Sequence, residues 1–180
     1  MPKALFLDRD GVINVEKSYV HTIEAFEFIP GIFDLCLAAQ DRGYRIIVIT
    51  NQAGIGRGYY GVAEFDKLSA WMIGQFRDHG VRIDRIYHCP HHPEHGVGDY
   101  RKLCSWRKPS PGMIEQAIAD FEISPEQSLL VGDKMSDILA GKAAQLGKTI
   151  LFTRDPPEAD MEKAQPDVVV QRLDDVSRHL

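Results

Sequence analysis

The 180-residue sequence predicts an α/β fold built on a mainly parallel sheet. Short apolar runs rich in β-branched residues alternate along the chain with segments whose apolar residues recur every three or four positions. Runs of the first kind are typical of buried parallel strands, and those of the second kind are typical of amphipathic helices. The alternation continues from one end to the other without a repeat or long linker, so we expect a single domain over residues 1–180.

Six short segments have the composition expected of buried strands. They are continuous, apolar and bounded by polar or turn-forming residues, as strands of a parallel sheet usually are. The predicted strands are residues 4–7, 45–49, 85–87, 128–131, 149–152 and 168–170.

The predicted helices follow from periodicity and from capping residues. One apolar stripe predicts a helix over residues 62–79. Ser110 before Pro111 predicts an N-cap and a first-turn proline for a helix that continues to Phe121. Ser124 with Gln127 predicts a capping box. The stripe of the first helix consists of Val62, Phe65, Leu68, Met72 and Phe76.

Composition limits the possible partners and location. A formal net charge of −5 argues against nucleic acid as the partner, because polyanion binding needs a basic face. The apolar run before Asp8 is too short for a secretory signal, and no later stretch is long enough to span a bilayer. The odd number of cysteines indicates thiols or metal ligands, with Cys36 on the apolar stripe of a helix. We therefore expect a cytoplasmic monomer with a small substrate and no membrane partner.

Two carboxylates separated by one residue follow the first predicted strand, in the segment Asp8-Arg9-Asp10-Gly11. Successive residues of a strand point to opposite faces, but beyond its end the chain can turn both carboxylates toward one site. One carboxylate could then attack a phosphorus atom while the other transfers protons. The pair therefore suggests phosphoryl transfer.

Further polar residues lie just after other strands, where the ligand crevice of an open parallel sheet is found. Each has an ordinary structural explanation on its own, as a turn residue, a helix cap or a solvated basic pair. Their joint occurrence at one edge of the sheet favours a functional site. These residues are Thr50, Asn51 and Gln52 after the second strand, Arg107 and Lys108 before a helix, and Asp133, Lys134 and Asp137 after the fourth strand.

These motifs resemble those of the haloacid dehalogenase-like phosphatases. The family pattern is Asp-x-Asp, then Ser or Thr, then Lys, then Gly-Asp followed by another Asp, and the resemblance covers nearly the entire chain. It implies a Rossmann-like, mainly parallel sheet with helices on both faces and no separate cap domain. The matching positions are Asp8 and Asp10, Thr50, Lys108, and Asp133 with Asp137, and the most specific string is the segment 6–14.

The resemblance also implies a mechanism. Asp8 would be the nucleophile and Asp10 the acid and base, while Thr50 and Lys108 would hold the phosphoryl oxygens. Magnesium would be bound by the carboxylates of Asp8 and Asp133 and by the backbone carbonyl of Asp10, with Asp137 orienting them.

Within this family the chain most resembles phosphatases of heptose bisphosphates, because of Asn14 and the segments 18–20 and 26–31. Three alternatives remain open: a histidinol-phosphate or other small sugar-phosphate phosphatase, a polynucleotide 3′-phosphatase, and a binding protein without catalysis. The substrate contacts implied by the family pattern are Glu16, Lys17, Ser18, Tyr19, Thr50, Asn51, Gln52, Ala53, Arg107, Lys108 and Lys134.

A cysteine- and histidine-rich loop over residues 88–107 resembles the family's structural zinc site. Cys89, His91 and Cys104 match three ligand positions, whereas Trp106 occupies the fourth. Structural zinc prefers four nitrogen or sulfur ligands, so a site with three would be weaker and more open. Two alternatives remain: a fourth ligand from elsewhere in the loop, or a loop that has lost its metal. The candidates for the fourth ligand are His92, His95 and Asp99.

Overall fold

The computed structural model describes residues 1–154 and 158–180, and within them it contains one six-stranded sheet. The strand order is β3-β2-β1-β4-β5-β6, and every neighbouring pair is parallel. The predicted α/β fold with a parallel sheet is therefore confirmed. The strands are β1 Lys3–Leu7, β2 Tyr44–Asn51, β3 Ile83–Cys89, β4 Leu129–Gly132, β5 Lys148–Phe152 and β6 Val168–Val170.

Helices cover both faces of this sheet. Side chains of β1 alternate between the two apolar layers: Leu5 and Leu7 join one, while Ala4 and Phe6 join the other. The first layer includes residues of α1, α3 and α7, and the second includes residues of α4, α5 and α6. The helices are α1 Ile32–Asp41, α2 Ala53–Gly56, α3 Val62–Asp78, α4 Gly112–Phe121, α5 Met135–Ala143, α6 Glu158–Ala164 and α7 Leu173–Val176.

Two helix starts differ from the prediction. Helix α4 begins at Gly112, and Pro111 rather than Ser110 occupies the cap position, without a side-chain cap bond. The backbone N–H of Gly112 instead donates to the carbonyl of Ser105 at 2.9 Å, and a Cβ on residue 112 would lie 2.3 Å from that oxygen. The loop carbonyl thus takes the place of a capping side chain, and glycine permits the approach.

The capping box expected at Ser124 and Gln127 is not formed. Residues Pro125–Gln127 make only a single 3₁₀ turn without a side-chain cap. The nearby Ser128 hydroxyl donates to the carbonyl of Ser124 and accepts from the backbone N–H of Ala4 in β1. This segment therefore anchors the sheet rather than starting an α-helix.

Successive strands are added in one direction from β1 to β3 and in the other direction from β4 to β6, so the direction reverses between β1 and β4. Chain connections leave in opposite directions from two such strands, which opens a crevice beyond their carboxyl ends. Asp8 follows β1 directly and Asp133 follows β4 directly. None of the described helices combines the length and apolarity needed to span a membrane.

Candidate active site

A cleft of about 640 Å³ lies at the carboxyl edge of the sheet. Most of the side chains predicted for the site border it, namely Asp8, Asp10, Glu16, Ser18, Tyr19, Asn51, Gln52, Ala53, Arg107, Lys108 and Lys134. Lys17, which was also predicted to contact the substrate, does not border the cleft. Its ammonium lies 2.8 Å from the carboxylate of Glu27. Arg57, Tyr60 and Ser136, for which no role was predicted, also border the cleft, as does His92, which was predicted only as a candidate zinc ligand.

The floor of the cleft is a buried ion cluster centred on Lys108. Its ammonium lies 2.9 Å from Asp8 Oδ1 and 2.6 Å from Asp137 Oδ1, and it donates to the carbonyl of Ile49 at 3.0 Å. Asp8, Lys108 and Asp137 are 6%, 4% and 1% exposed. The lysine is thus fixed by three oxygens and points at the nucleophile candidate.

The electrostatics of the cluster follow from burial and from charge. Burial raises the pKa of Asp8 well above its ordinary value, although the Lys108 ammonium acts in the opposite direction. Burial alone would lower the pKa of Lys108, but Asp137 and Asp8 more than offset it, so that the pKa is raised. Lys108 therefore remains a fixed positive charge at every physiological pH.

Two glycines allow the carboxylates to approach this closely. A Cβ on Gly132 would lie 2.1 Å from the Cβ of Asp137, so β4 must end without a side chain there. Gly11 has φ of 91°, and a Cβ would lie 2.1 Å from Asp133 Oδ2. Both positions therefore require glycine for steric reasons, and Gly11 also for its backbone conformation.

The acidic residues of this cluster fit a hard divalent cation. Carboxylate oxygens of Asp8, Asp133 and Asp137 lie within 4.8 Å of one another. Oδ1 of Asp133 is buried without a hydrogen-bond partner among the described residues, and burial together with Asp137 raises the pKa of Asp133 to about 6. With three carboxylates and one ammonium, the fully ionised cluster has a net charge of −2. One Mg²⁺ ion would neutralise this charge.

The second carboxylate, Asp10, lies in a cradle of donors. Arg9 Nη2 donates to both of its oxygens at 2.9 and 3.0 Å, Asn14 Nδ2 donates at 3.0 Å, and Gln52 Nε2 donates at 3.1 Å. Arg9 and Asn14 are 2% and 0% exposed. A fully buried arginine is rare, and nothing in the sequence distinguishes Arg9 from an ordinary surface residue. Asp10 is thus oriented by three neighbouring side chains.

The second strand ends in residues that are already engaged with the protein. Thr50 is fully buried, and its hydroxyl accepts a bond from Gln52 Nε2 at 2.9 Å. Asn51 Nδ2 donates to the carbonyl of Lys108, and Asn51 Oδ1 accepts from the backbone N–H of Lys108. This reciprocal pair aligns Lys108 with the end of β2.

The rim of the cleft carries the remaining charged groups. The Lys134 ammonium lies 3.2 Å from Glu16, so this pair crosses between the loops that follow β4 and β1. Arg107 Nη1 donates to the carbonyl of His91, and the Arg57 guanidinium lies 5.8 Å from the centre of the Tyr19 ring. Three cations therefore lie at the rim in addition to Lys108 at the floor, which suits a ligand with more than one anionic group.

The cysteine-rich loop brings together the three expected donors. Side-chain donor atoms of Cys89, His91 and Cys104 lie within 4.8 Å of one another, with Cys89 Sγ 3.7 Å from His91 Nδ1. In the part of the chain that the structure describes, no fourth His, Cys, Asp or Glu joins this group. His92 Nδ1 instead accepts from two backbone N–H groups of its own loop, and the Trp106 ring packs edge-on against Tyr87.

The fold and this cleft are those of the haloacid dehalogenase-like class. A family model described as HAD-hydrolase-like matches residues 105–176. A D-glycero-α-D-manno-heptose-1,7-bisphosphate 7-phosphatase from Burkholderia mallei is 56% identical over 150 residues, which cover 83% of this chain and 79% of that protein. The β-anomer enzyme from Pasteurella multocida is 43% identical, covering 99% of this chain and 96% of that protein.

The chain belongs to the heptose-1,7-bisphosphate 7-phosphatase family. The crystal structure of a D,D-heptose 1,7-bisphosphate phosphatase from B. bronchiseptica, complexed with magnesium and phosphate, has the same fold. It superposes with a TM-score of 0.84 at 24% identity and covers 98% of this chain and 97% of its own. The family resemblance predicted from the sequence is therefore confirmed.

Proposed function

We propose that this protein is a magnesium-dependent phosphatase that removes the 7-phosphate of D-glycero-D-manno-heptose 1,7-bisphosphate, a step toward ADP-heptose and lipopolysaccharide. The observation that carries the proposal is the Asp8–Lys108–Asp137 ion cluster beside Asp10 at the floor of one cleft. Relatives with that activity in their names are 40–56% identical to this chain. Their names include both anomers, so the anomer at carbon 1 is a question for kinetics.

In the proposed reaction Asp8 attacks the phosphorus atom and forms an aspartyl-phosphate while the O–P bond to the sugar breaks. Asp10 donates a proton to the departing sugar oxygen, and its conjugate base later accepts a proton from the water that hydrolyses the aspartyl-phosphate. Lys108 and the hydroxyl of Thr50 bind the phosphoryl oxygens, where negative charge accumulates in the transition state.

We propose that Asp8 and Asp133, with the backbone carbonyl of Asp10, hold the magnesium ion. Both oxygens of Asp137 are engaged, Oδ1 by the Lys108 ammonium and Oδ2 by the backbone N–H of Lys134, so we assign it to holding the lysine rather than to the metal. In Asp8 the ammonium and the backbone N–H of Arg9 both contact Oδ1, which leaves Oδ2 for the metal. When bound, Mg²⁺ neutralises the repulsion between the Asp8 carboxylate and the phosphate dianion. The remaining work of positioning is done by side chains of this protein.

We propose that the second phosphate of the substrate binds at the rim cations. Arg107 and Arg57 present guanidinium groups that match phosphate geometry, and Lys134 would leave Glu16 to join them. Glu16, Ser18 and Tyr19 border the same cleft and are proposed to contact the sugar.

We propose that Cys89, His91 and Cys104 bind a structural zinc ion with an open fourth position. Two thiols and an imidazole within 4.8 Å form a recognisable zinc ligand set. Arg107 donates to the carbonyl of His91, so the loop conformation is directly linked to a proposed substrate contact. Elemental analysis of protein purified without chelator tests this, with about one zinc per chain expected and none counting against it.

The substrate proposal is tested by comparing phosphate release from the two anomers of heptose 1,7-bisphosphate and from histidinol phosphate, with Mg²⁺ present. The proposal predicts that kcat/KM is at least about a hundredfold higher for one heptose anomer than for histidinol phosphate. Equal or reversed preference would contradict it. We also propose that the protein acts as a cytoplasmic monomer, which gel filtration and cell fractionation test.

A further inference from the structure

Gln52 lies at the end of β2 with its side-chain amide enclosed by the protein. Gln52 is 1% exposed, although it is one of the residues that border the cleft. Its Nε2 donates to Asp10 Oδ2 at 3.1 Å and to Thr50 Oγ1 at 2.9 Å. An amide nitrogen carries two hydrogens, so both of its donors are used within the protein and neither is left for a substrate.

The orientation of this amide depends on the group that faces its oxygen. The hydroxyl of Tyr60 donates a hydrogen bond to Gln52 Oε1. With the amide reversed, Oε1 would face the Asp10 carboxylate, and two acceptors would oppose each other. Tyr60 as a donor therefore selects the orientation in which Nε2 points at Asp10.

The surroundings of Tyr60 keep its hydroxyl protonated and its ring in place. Tyr60 is 8% exposed, and burial raises its pKa to about 12. Its ring stacks on the His21 imidazole with centroids 4.8 Å apart and packs with Ile55 and Phe65. The hydroxyl is thus a permanent donor on a rigid support.

We propose that Tyr60 is a positioning residue that acts through Gln52 to hold the carboxylate of Asp10 in the orientation needed for proton transfer. The inference rests on the proposed function, in which Asp10 protonates the leaving oxygen. It gives Gln52 a role different from the substrate contact that the sequence predicted. Tyr60 itself touches neither the phosphorus nor the nucleophile in this account.

The kinetic test compares leaving groups in Tyr60→Phe. Sugar phosphates need a proton on the leaving oxygen, whereas p-nitrophenyl phosphate releases a stable anion that needs none. We expect kcat/KM to fall about tenfold for the sugar phosphate and less than about twofold for p-nitrophenyl phosphate. Equal losses on both substrates, or a change confined to KM, would overturn the proposal.

The matched control is Tyr44→Phe. Tyr44 is also 8% exposed but stands at the start of β2, at the opposite end of the strand from the cleft. It should leave both kcat/KM values unchanged. In an Asp10→Asn background, Tyr60→Phe should cause no further loss, because the group it positions no longer transfers protons. Additive losses in the double variant would contradict the proposal.

A second readout does not depend on turnover. The Gln52 side-chain N–H₂ signals in ¹⁵N NMR should show slow exchange with water in the wild-type protein and faster exchange in Tyr60→Phe. Unchanged exchange would overturn the proposal even if no heptose bisphosphate were hydrolysed. If the protein prefers another sugar phosphate, the proposed substrate fails, and the leaving-group comparison is made with the preferred one.

Discussion

Two chemically different clusters, a carboxylate end and a thiol end, lie at the floor of the cleft and in the loop beside its rim. The carboxylate end takes Asp8 and Asp133 from strand ends and Asp137 from the first turn of α5, whereas Lys108 comes from the segment before α4. The thiol end, formed by Cys89, His91 and Cys104, begins at the end of β3 but otherwise lies on a loop. Among the described residues, no charged side chain bridges its three donors in the way that Lys108 bridges two carboxylates. The difference indicates that strand ends and Lys108 hold the carboxylates in place, whereas the proposed zinc ion would be what holds the three donors of the loop together.

The largest expected effect is at the carboxylate end. Asp8→Asn removes the nucleophile while keeping the size of the side chain, so kcat should fall by at least about a thousandfold. The control Asp41→Asn changes an exposed aspartate at the far end of α1 and should have no effect. Steady-state phosphate release measures both, and substantial activity in Asp8→Asn would refute the assignment of the nucleophile.

Replacing the cation comes next. Lys108→Met leaves two buried carboxylates without their partner, so kcat should fall by about a hundredfold or more. Stability at neutral pH should fall by about 3–5 kcal/mol, because an uncompensated buried charge is costly. Urea unfolding at pH 7.5 measures the loss. A variant as stable as the wild type would show that the cluster does not behave as a tightly coupled unit.

Magnesium should stabilise the carboxylate end in a pH-dependent way. The pKa of Asp133 is raised to about 6, so the metal-free protein binds its proton more tightly than the unfolded chain and loses stability as pH rises from about 4 through 6. Above that pH the ionised carboxylate is free to bind the cation. The thermal midpoint should therefore rise by several degrees on adding Mg²⁺ at pH 8 and by much less at pH 5. Equal shifts at both values would contradict this.

The smallest effect on chemistry is expected at the thiol end. Cys104→Ala should remove the zinc and raise KM while kcat changes less than about threefold, because the loop touches the rim and not the nucleophile. Cys36→Ala is the control, since its thiol is buried among apolar residues of the other layer and should not affect zinc content. Retention of zinc by Cys104→Ala would refute the ligand set.

The same end offers a gain-of-function variant. Trp106→Cys would supply a fourth thiol at the position that the family pattern gives to a ligand, at the cost of ring packing against Tyr87. Zinc affinity should rise by about tenfold or more, measured by competition with a chelator. Unchanged affinity would show that residue 106 does not face the metal.

The same contrast separates the features that the sequence predicts from those that it does not. All six strands and the residues that follow them were predictable, because short β-branched runs define buried strands and parallel strands present their carboxyl ends at one edge. Whether Asp133 and Asp8 adjoin depends on strand order, which periodicity does not encode. The family resemblance supplied that step.

Residues that act by turning back toward the site were not predictable. Arg9 lies between Asp8 and Asp10, and its guanidinium folds back to bind Asp10 and the carbonyl of Val20. These contacts depend on the conformation of the loop after β1, which the sequence alone does not reveal. Tyr60 comes into contact with Gln52 only because the short helix α2 reverses the chain between them. Lys17 was predicted at the site from the family pattern, but its ammonium pairs with Glu27 instead.

The central claim is that Asp8 at the carboxylate end becomes phosphorylated during turnover. A rapid-quench single turnover with substrate labelled in the 7-phosphate and Mg²⁺ present tests it directly. The account predicts a transient, acid-stable and base-labile label on the protein that maps to Asp8 and is absent from Asp8→Asn. Label that passes from substrate to inorganic phosphate without appearing on the protein, or that maps to another residue, would contradict it.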